Sequence, residues 1–189
     1  MRLEYVIPID TGAATIVIRK AAEADVTSVA NIYKSIHALE QAGKVSIGWN
    51  PDVYPVRETA EKALLSGTLF VMTLRGEVIA SAIINNQQPE AYFLIDWQYP
   101  AIGNKVGVLH TLVVSPRMGR HGYGKLFVKY FENYCKELGC EVVRLDIQVK
   151  NSRPFNMYPK LGYRLAGIRE TSFQNLPQKI ELAMFEKKL

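Results

Sequence analysis

The chain has 189 residues, 48% of them hydrophobic and 22% charged, a balance that suits one globular domain over residues 1–189 and excludes a disordered chain. The formal net charge of +5 comes without a recognition motif, repeated basic stripe or zinc-finger spacing, so nucleic acid is not an expected partner. No apolar run approaches the roughly 18 residues that cross a bilayer. The opening MRLEYVIPID shows no leader-like stretch, and Cys135 and Cys140 lack partners at disulfide or zinc spacing, so a cytoplasmic protein with no bound metal and no membrane contact is expected.

Residues 1–14 read as an N-terminal arm, followed by a β-branched strand, TIVIRK, at 15–20. A helix follows, with Asp25 as its cap, Val26, Val29, Ile32, Tyr33 and Ile36 at helical spacing and Gly43 as its stop. Residues 45–56 hold two prolines and two large aromatics, the material of a pocket wall, and a short helix occupies 57–67. A hairpin turns at Arg75-Gly76 within 68–85, and a loop or broken strand leads to an apolar strand at 106–114. After the loop GRHGYGKLF, Leu126, Tyr130, Tyr134 and Leu138 form a helical stripe flanked by Phe127 and Phe131 and ended by Gly139. Residues 141–149 alternate as a strand with Asp146 on its polar side, 151–163 read as a short helix and turn, and a last strand closes the chain. Strand, helix and strand over 106–149 imply a right-handed crossover with parallel pairing, hence an α+β or α/β fold with a mixed sheet.

The chemistry concentrates in GRHGYGKLF. From Trp97 to Phe131 no acidic residue occurs, while Lys105, Arg117, Arg120, Lys125 and Lys129 all fall there. Such a field attracts an anion, and a glycine loop opening a helix offers free N–H groups to a phosphate. A nucleoside triphosphate requires Ser or Thr where Leu126 stands, and a dinucleotide requires a third glycine where Phe127 stands. A pyrophosphate held without metal, as in coenzyme A, meets neither objection.

LHTLVVSPRMGRHGYGKLF resembles motif A of the GNAT superfamily of acetyl-CoA-dependent N-acetyltransferases, an apolar strand, a proline and R/Q-x-x-G-x-G/A opening a helix. Pro116, Gly122 and Gly124 match, whereas Gly119 stands where the family has Arg or Gln, with Arg117 and Arg120 beside it to supply the charge. About 30 residues on, NSRPFNMYPKLGY resembles a second family element through Asn151, Pro154, Tyr158, Gly162 and Tyr163.

The resemblance implies a GNAT-like sheet splayed at the cofactor site, with acetyl-CoA lying between the strands. It implies main-chain bonds from Leu112, Val113 and Val114, and phosphate contacts from the loop running through Arg117, Gly119, Arg120, His121, Gly122, Tyr123, Gly124 and Lys125. Asn151 and Tyr158 would complete the cofactor site. Tyr158 is the implied proton donor to the departing sulfur, although Pro159 disfavours α geometry at that residue. His110, taken to share a strand face with Val108, Leu112 and Val114, is the candidate base, with Asp96 as an alternative; a satisfied core histidine is the plainer reading. Asp146 reads better as half of a structural ion pair. Trp49, Tyr54, Asp96 and Trp97, with Asp52, Tyr92 and Tyr99 nearby, would line a pocket for a cationic amine of a small molecule or peptide. The implied activity is acetyl transfer to that amine by direct attack in a ternary complex. A non-catalytic acyl-CoA-binding module is the alternative, and a homodimer is left open.

Overall fold

A computed structural model describes residues 4–8, 15–172 and 179–189. Among the described residues eight strands form one sheet in the order β1-β2-β3-β4-β5-β6-β8-β7. They are β1 (Glu4–Pro8), β2 (Thr15–Lys20), β3 (Leu69–Leu74), β4 (Glu77–Asn85), β5 (Val106–Val114), β6 (Val142–Gln148), β7 (Arg164–Thr171) and β8 (Ile180–Lys188). Every neighbouring pair is antiparallel except β5 and β6, which run parallel. The helices among the described residues are α1 (Val26–Gln41), α2 (Arg57–Leu65), α3 (Tyr123–Glu137) and α4 (Ser152–Met157).

The sheet separates two apolar layers. On one face α3 and α4 close over Phe70, Ile84, Leu109, Leu145 and Phe185. On the other, α1 and α2 pack on Leu69, Val71 and Val113, while residues 86–105 cover Val106, Val108 and Met184. Burial on both faces explains the nearly unbroken apolar runs of β3 and β5.

Several local expectations change. The N-terminal arm contains β1, paired with β2, and its residues 9–14 lie outside the described residues. Asp25 does not cap forward into α1: its carboxylate turns back to accept from Ala22 N–H (2.7 Å) and binds Arg19 through both oxygens. Burial works to raise the Asp25 carboxyl, but Arg19 and the Ala22 N–H outweigh it and hold it below the ordinary value. The buried face of α3 is Phe127, Val128, Tyr130, Phe131 and Cys135, so the stripe is rotated and Leu138 is exposed. Strand β7 was not anticipated, because it is a mostly exposed edge rich in charge with little apolar alternation.

The polar side of β6 is not solvated. Arg144 is buried, stacks 4.1 Å over the Trp97 ring and donates to Tyr99 O at 3.0 Å. Beside it Glu186 is 0% exposed and accepts from Gln98 N–H, Tyr99 N–H and Arg164. These two charges tie Gln88, Trp97, Gln98 and Tyr99 of the 86–105 segment to the sheet.

Glu186→Ala leaves two part-buried N–H groups and the Arg164 guanidinium without their acceptor and should lower stability by about 1–3 kcal/mol in urea unfolding. Glu186→Gln, which keeps one acceptor oxygen, should cost less.

Candidate functional site

The site begins where two strands part. β5 pairs with β6 only from Val106↔Val142 to Leu109↔Leu145. Beyond that point β6 stays with β8, and β5 stays with β4 as far as Val114. The change of course is made at Thr111, a β-branched residue held at φ +50°, opposite the irregularity between Ser81 and Ile83 in β4. This is a bulge, and it leaves the β6-facing backbone of residues 110–114 without a strand partner. The Tyr54 and Thr111 hydroxyls hydrogen-bond to each other across the loop before α2.

The bulge also reverses the side-chain phase. Leu112 and Val114 face the α3 layer and Val113 faces α1. His110 lies with Val108 on the opposite side from Leu112 and Val114, so the single face expected for these four residues is not formed.

A groove of about 1120 Å³ opens from this gap. Its wall combines Leu112, Val113 and Val114 with Gly119, Arg120 and the start of α3 at Gly122, Tyr123, Gly124 and Lys125, then Asn151 and Tyr158, and across from them Trp49. Gly122 ends the loop at φ +80° with open space around the position of a Cβ, and the first hydrogen bond of α3 is Leu126 N–H to Gly122 O. The earlier N–H groups of that turn are unused, with the positive end of the helix behind them. The lining carries Lys44, Arg120, Lys125, Lys150, Arg153 and Lys160 and no Asp or Glu. An extended polyanion fits this surface, its phosphates at the helix start and its arm along the open edge of β5.

The far wall is fixed by a strap. The Glu40 carboxylate accepts from the N–H groups of Ile47, Gly48 and Trp49, and Gly48 O accepts from Gln148 Nε2 at 2.7 Å. A Cβ on Gly48 would stand 1.8 Å from Gln148 Oε1. Only glycine lets the loop approach β6 so closely.

A second constellation lies at the fork itself. Asp146 is the first β6 residue past the last pair with β5, and its Oδ1 accepts from Tyr92 Oη at 2.8 Å. His110 Nε2 is 3.0 Å from Asn85 Oδ1 and 3.1 Å from Gln87 O. A carbonyl only accepts, so Nε2 carries the proton and the neutral ring leaves its Nδ1 lone pair free. Burial lowers the His110 pKa, opposed by the Asp146 charge and the Gln87 carbonyl. Burial raises the Asp146 carboxyl, opposed by the Tyr92 hydrogen bond and by His110. Tyr158, which lines the groove, is pushed up by burial and then by Asp146, so its phenol keeps its proton. Tyr54 and Tyr92 are raised in the same way, by burial first and by Asp146 after it.

The structure therefore brings together most of the expected residues, but not all. Arg120 lines the groove and Arg117 does not; His121 turns away, its Nδ1–H donating to Gly119 O at 2.8 Å while its ring stacks on Tyr123. Tyr158 keeps α geometry at φ −62°, ψ −41° despite Pro159, since α4 ends at Met157 and a tight turn follows. Trp97 does not line the groove: its Nε1 donates to Tyr92 O and its ring carries Arg144. Asp96 is exposed and outside both constellations, as is Asp52, whose N–H bonds Asn50 Oδ1. Tyr99 is held by its backbone to Glu186 and Arg144. Asp146 forms no ion pair with a described Lys or Arg side chain, contrary to expectation. The signal for Asp146 was its place five residues before Asn151 on the strand that flanks the gap, which has no meaning until the gap is seen.

The family model described as Acetyltransferase (GNAT) family matches residues 32–163. No curated protein matches the chain. Among solved structures, a GNAT-family acetyltransferase from Streptococcus agalactiae 2603 superposes with a TM-score of 0.75 at 19% identity, covering 92% of this chain and 95% of that one. The yncA protein from Salmonella typhimurium, solved with its cofactor acetyl-CoA, gives 0.67 at 16% identity, covering 92% and 93%. The ribosomal-protein-alanine N-acetyltransferase from Brucella melitensis gives 0.67 at 17%, covering 91% and 99%.

Because a Cβ at Gly122 meets no atom within 4 Å, Gly122→Ala carries only backbone strain and should cost about 1–2 kcal/mol in chemical unfolding. Gly122→Asn, better tolerated in the left-handed region, should recover part of that loss.

Proposed function

The chain belongs to the acetyltransferase (GNAT) family, whose cofactor is acetyl-CoA, and on that premise we propose that it transfers the acetyl group to a primary amine of a small molecule or peptide in a ternary complex. The carrying observation is that Tyr158 and the unpaired stretch of β5 from Leu112 to Val114 line one cationic groove, which opens where β5 and β6 part at Leu109 and Leu145, next to Asp146.

The α3 start, with Gly122, Gly124, Lys125 and Arg120, would hold the pyrophosphate, and Arg120 supplies the charge that Gly119 lacks. The open edge of β5 at Leu112 to Val114 would hold the pantetheine arm, with Asn151 on the opposite wall. Bound there, the cofactor supplies an activated acyl thioester.

The protein's own groups then manage two protons. The acceptor arrives as an ammonium of pKa about 10.4 and must lose a proton before its nitrogen can attack. His110 Nδ1 takes it, since the ring is neutral near neutral pH and its other nitrogen is already engaged. Tyr158 Oη holds the proton that the thiol product requires, and no described group hydrogen-bonds that hydroxyl in competition. Formation of the amide N–C bond, with loss of the C–S bond, would remove two protons from the ammonium nitrogen: His110 would take the first, and the second would replace the proton that Tyr158 gives to the departing thiolate. Trp49 and Tyr54, packed edge to face at 6.2 Å, border the acceptor's approach.

Thiol release measured over an amine panel tests this reading, and failure of acetyl-CoA to bind in a calorimetric titration would overturn it. Tyr158→Phe should lower kcat by about 10²-fold or more with acetyl-CoA binding unchanged. The pH profile follows from the sign of the His110 shift. The working form is neutral and the pKa is lowered, so activity should rise with pH through an acidic limb below the usual histidine value of about 6.5. His110→Gln should abolish that limb along with most of the rate.

A further inference from the structure

We infer that Asp146 anchors the ammonium group of the acceptor, which makes this a site for compact cationic amines and Asp146 its specificity-determining residue. The inference rests on the amine-acetylating reading and adds to it which group recognises the substrate.

The argument starts from an unbalanced charge. Asp146 is partly buried and receives one hydrogen bond, from Tyr92. The other groups near enough to feel its charge are Tyr54 from the loop before α2, Tyr158 from the end of α4 and His110 from β5, and among these only a protonated His110 could offset a carboxylate. Arg144, on the same side of β6, is committed to Gln88, Tyr99 and the Trp97 ring. A carboxylate taken out of water without a counter-cation is costly, and folds keep one where something else supplies the charge.

The distribution of charge around the opening says what that something is. The groove wall holds six basic side chains and no acidic one, so an ammonium is repelled along the whole cofactor side. At the fork the sign reverses, with the Asp146 carboxylate bonded to the Tyr92 phenol and within reach of the charge of His110. An ammonium drawn to Asp146 lies beside His110, whose free Nδ1 can then accept its proton. Anchor and base act in sequence: the carboxylate binds the charged amine, and removal of the proton frees the neutral nitrogen from that attraction.

The test uses steady-state kinetics of the full chain at saturating acetyl-CoA with ethanolamine, putrescine, 2-phenylethylamine and alanine amide, taking the best acceptor forward. Asp146→Asn should raise the KM for that amine by about tenfold or more, with the KM for acetyl-CoA within about twofold of the parent. The parent enzyme supplies a second readout that needs no variant. The unreactive trimethylammonium analogue of the best acceptor should inhibit more tightly than the hydroxyl analogue, and Asp146→Asn should erase the difference. An unchanged amine KM, equal shifts in both KM values, or equal inhibition of the parent by the two analogues would overturn the inference. Turnover of no amine by the parent would instead overturn the reading beneath it, and the inference with it.

Discussion

Everything functional in this fold depends on β5 and β6 ceasing to pair after Leu109 and Leu145. Parallel strands normally continue their ladder, and each lost hydrogen bond in a buried sheet has to be compensated. Here the Thr111 bulge bends β5 toward β4, β8 retains β6, and the Gln148 side chain of β6 is bonded to the loop after α1. The gap is therefore held open from both sides by contacts that lie outside it. An exposed row of backbone groups in the middle of a sheet is the result, and an extended ligand arm is the natural complement to it.

That gap divides the molecule electrostatically. The start of α3 and the lysines and arginines of the groove stand on one side, and Asp146, bonded to the Tyr92 phenol, stands at the fork on the other. The two proposed reactants carry opposite charge, so the protein sorts them before any chemistry takes place. Tyr158 stands at the boundary, and its environment keeps it protonated because burial and a neighbouring carboxylate both oppose ionisation. His110 is biased the other way, toward the neutral ring. The same low-dielectric setting thus keeps a phenol protonated and favours a neutral imidazole, because it acts on acids and bases in opposite senses.

Support for this arrangement comes from charges that take no part in it. Arg144 and Glu186 fasten residues 86–105 to the sheet, and Trp97 is the platform between Arg144 and Tyr92. Tyr92 in turn bonds Asp146. Residues that resembled a substrate pocket in the linear sequence, Trp97 through its ring and Tyr99 through its backbone, belong instead to the framework behind Tyr92.

Local patterns in the chain were sufficient for most secondary elements, though not for β1 or β7, and for the parallel crossover and the glycine loop with its helix, because periodicity, caps and the Gly122-Gly124 spacing are properties of neighbouring residues. They also made Tyr158 and Asn151 recognisable, at a fixed distance from the loop. The phase of α3, the facing of His110 and the role of Asp146 were beyond their reach. A one-residue bulge at Thr111 reverses which side a strand residue faces, and no local signal marks a β-branched residue at positive φ. Whether a carboxylate is a solvated surface charge or the one negative centre of a site depends on what lies across the gap, and those partners come from 54 and 36 positions away, at Tyr92 and His110. Chemistry written in contiguous residues is legible in one dimension, whereas chemistry assembled from strands that diverge exists only once the sheet has formed and failed to close.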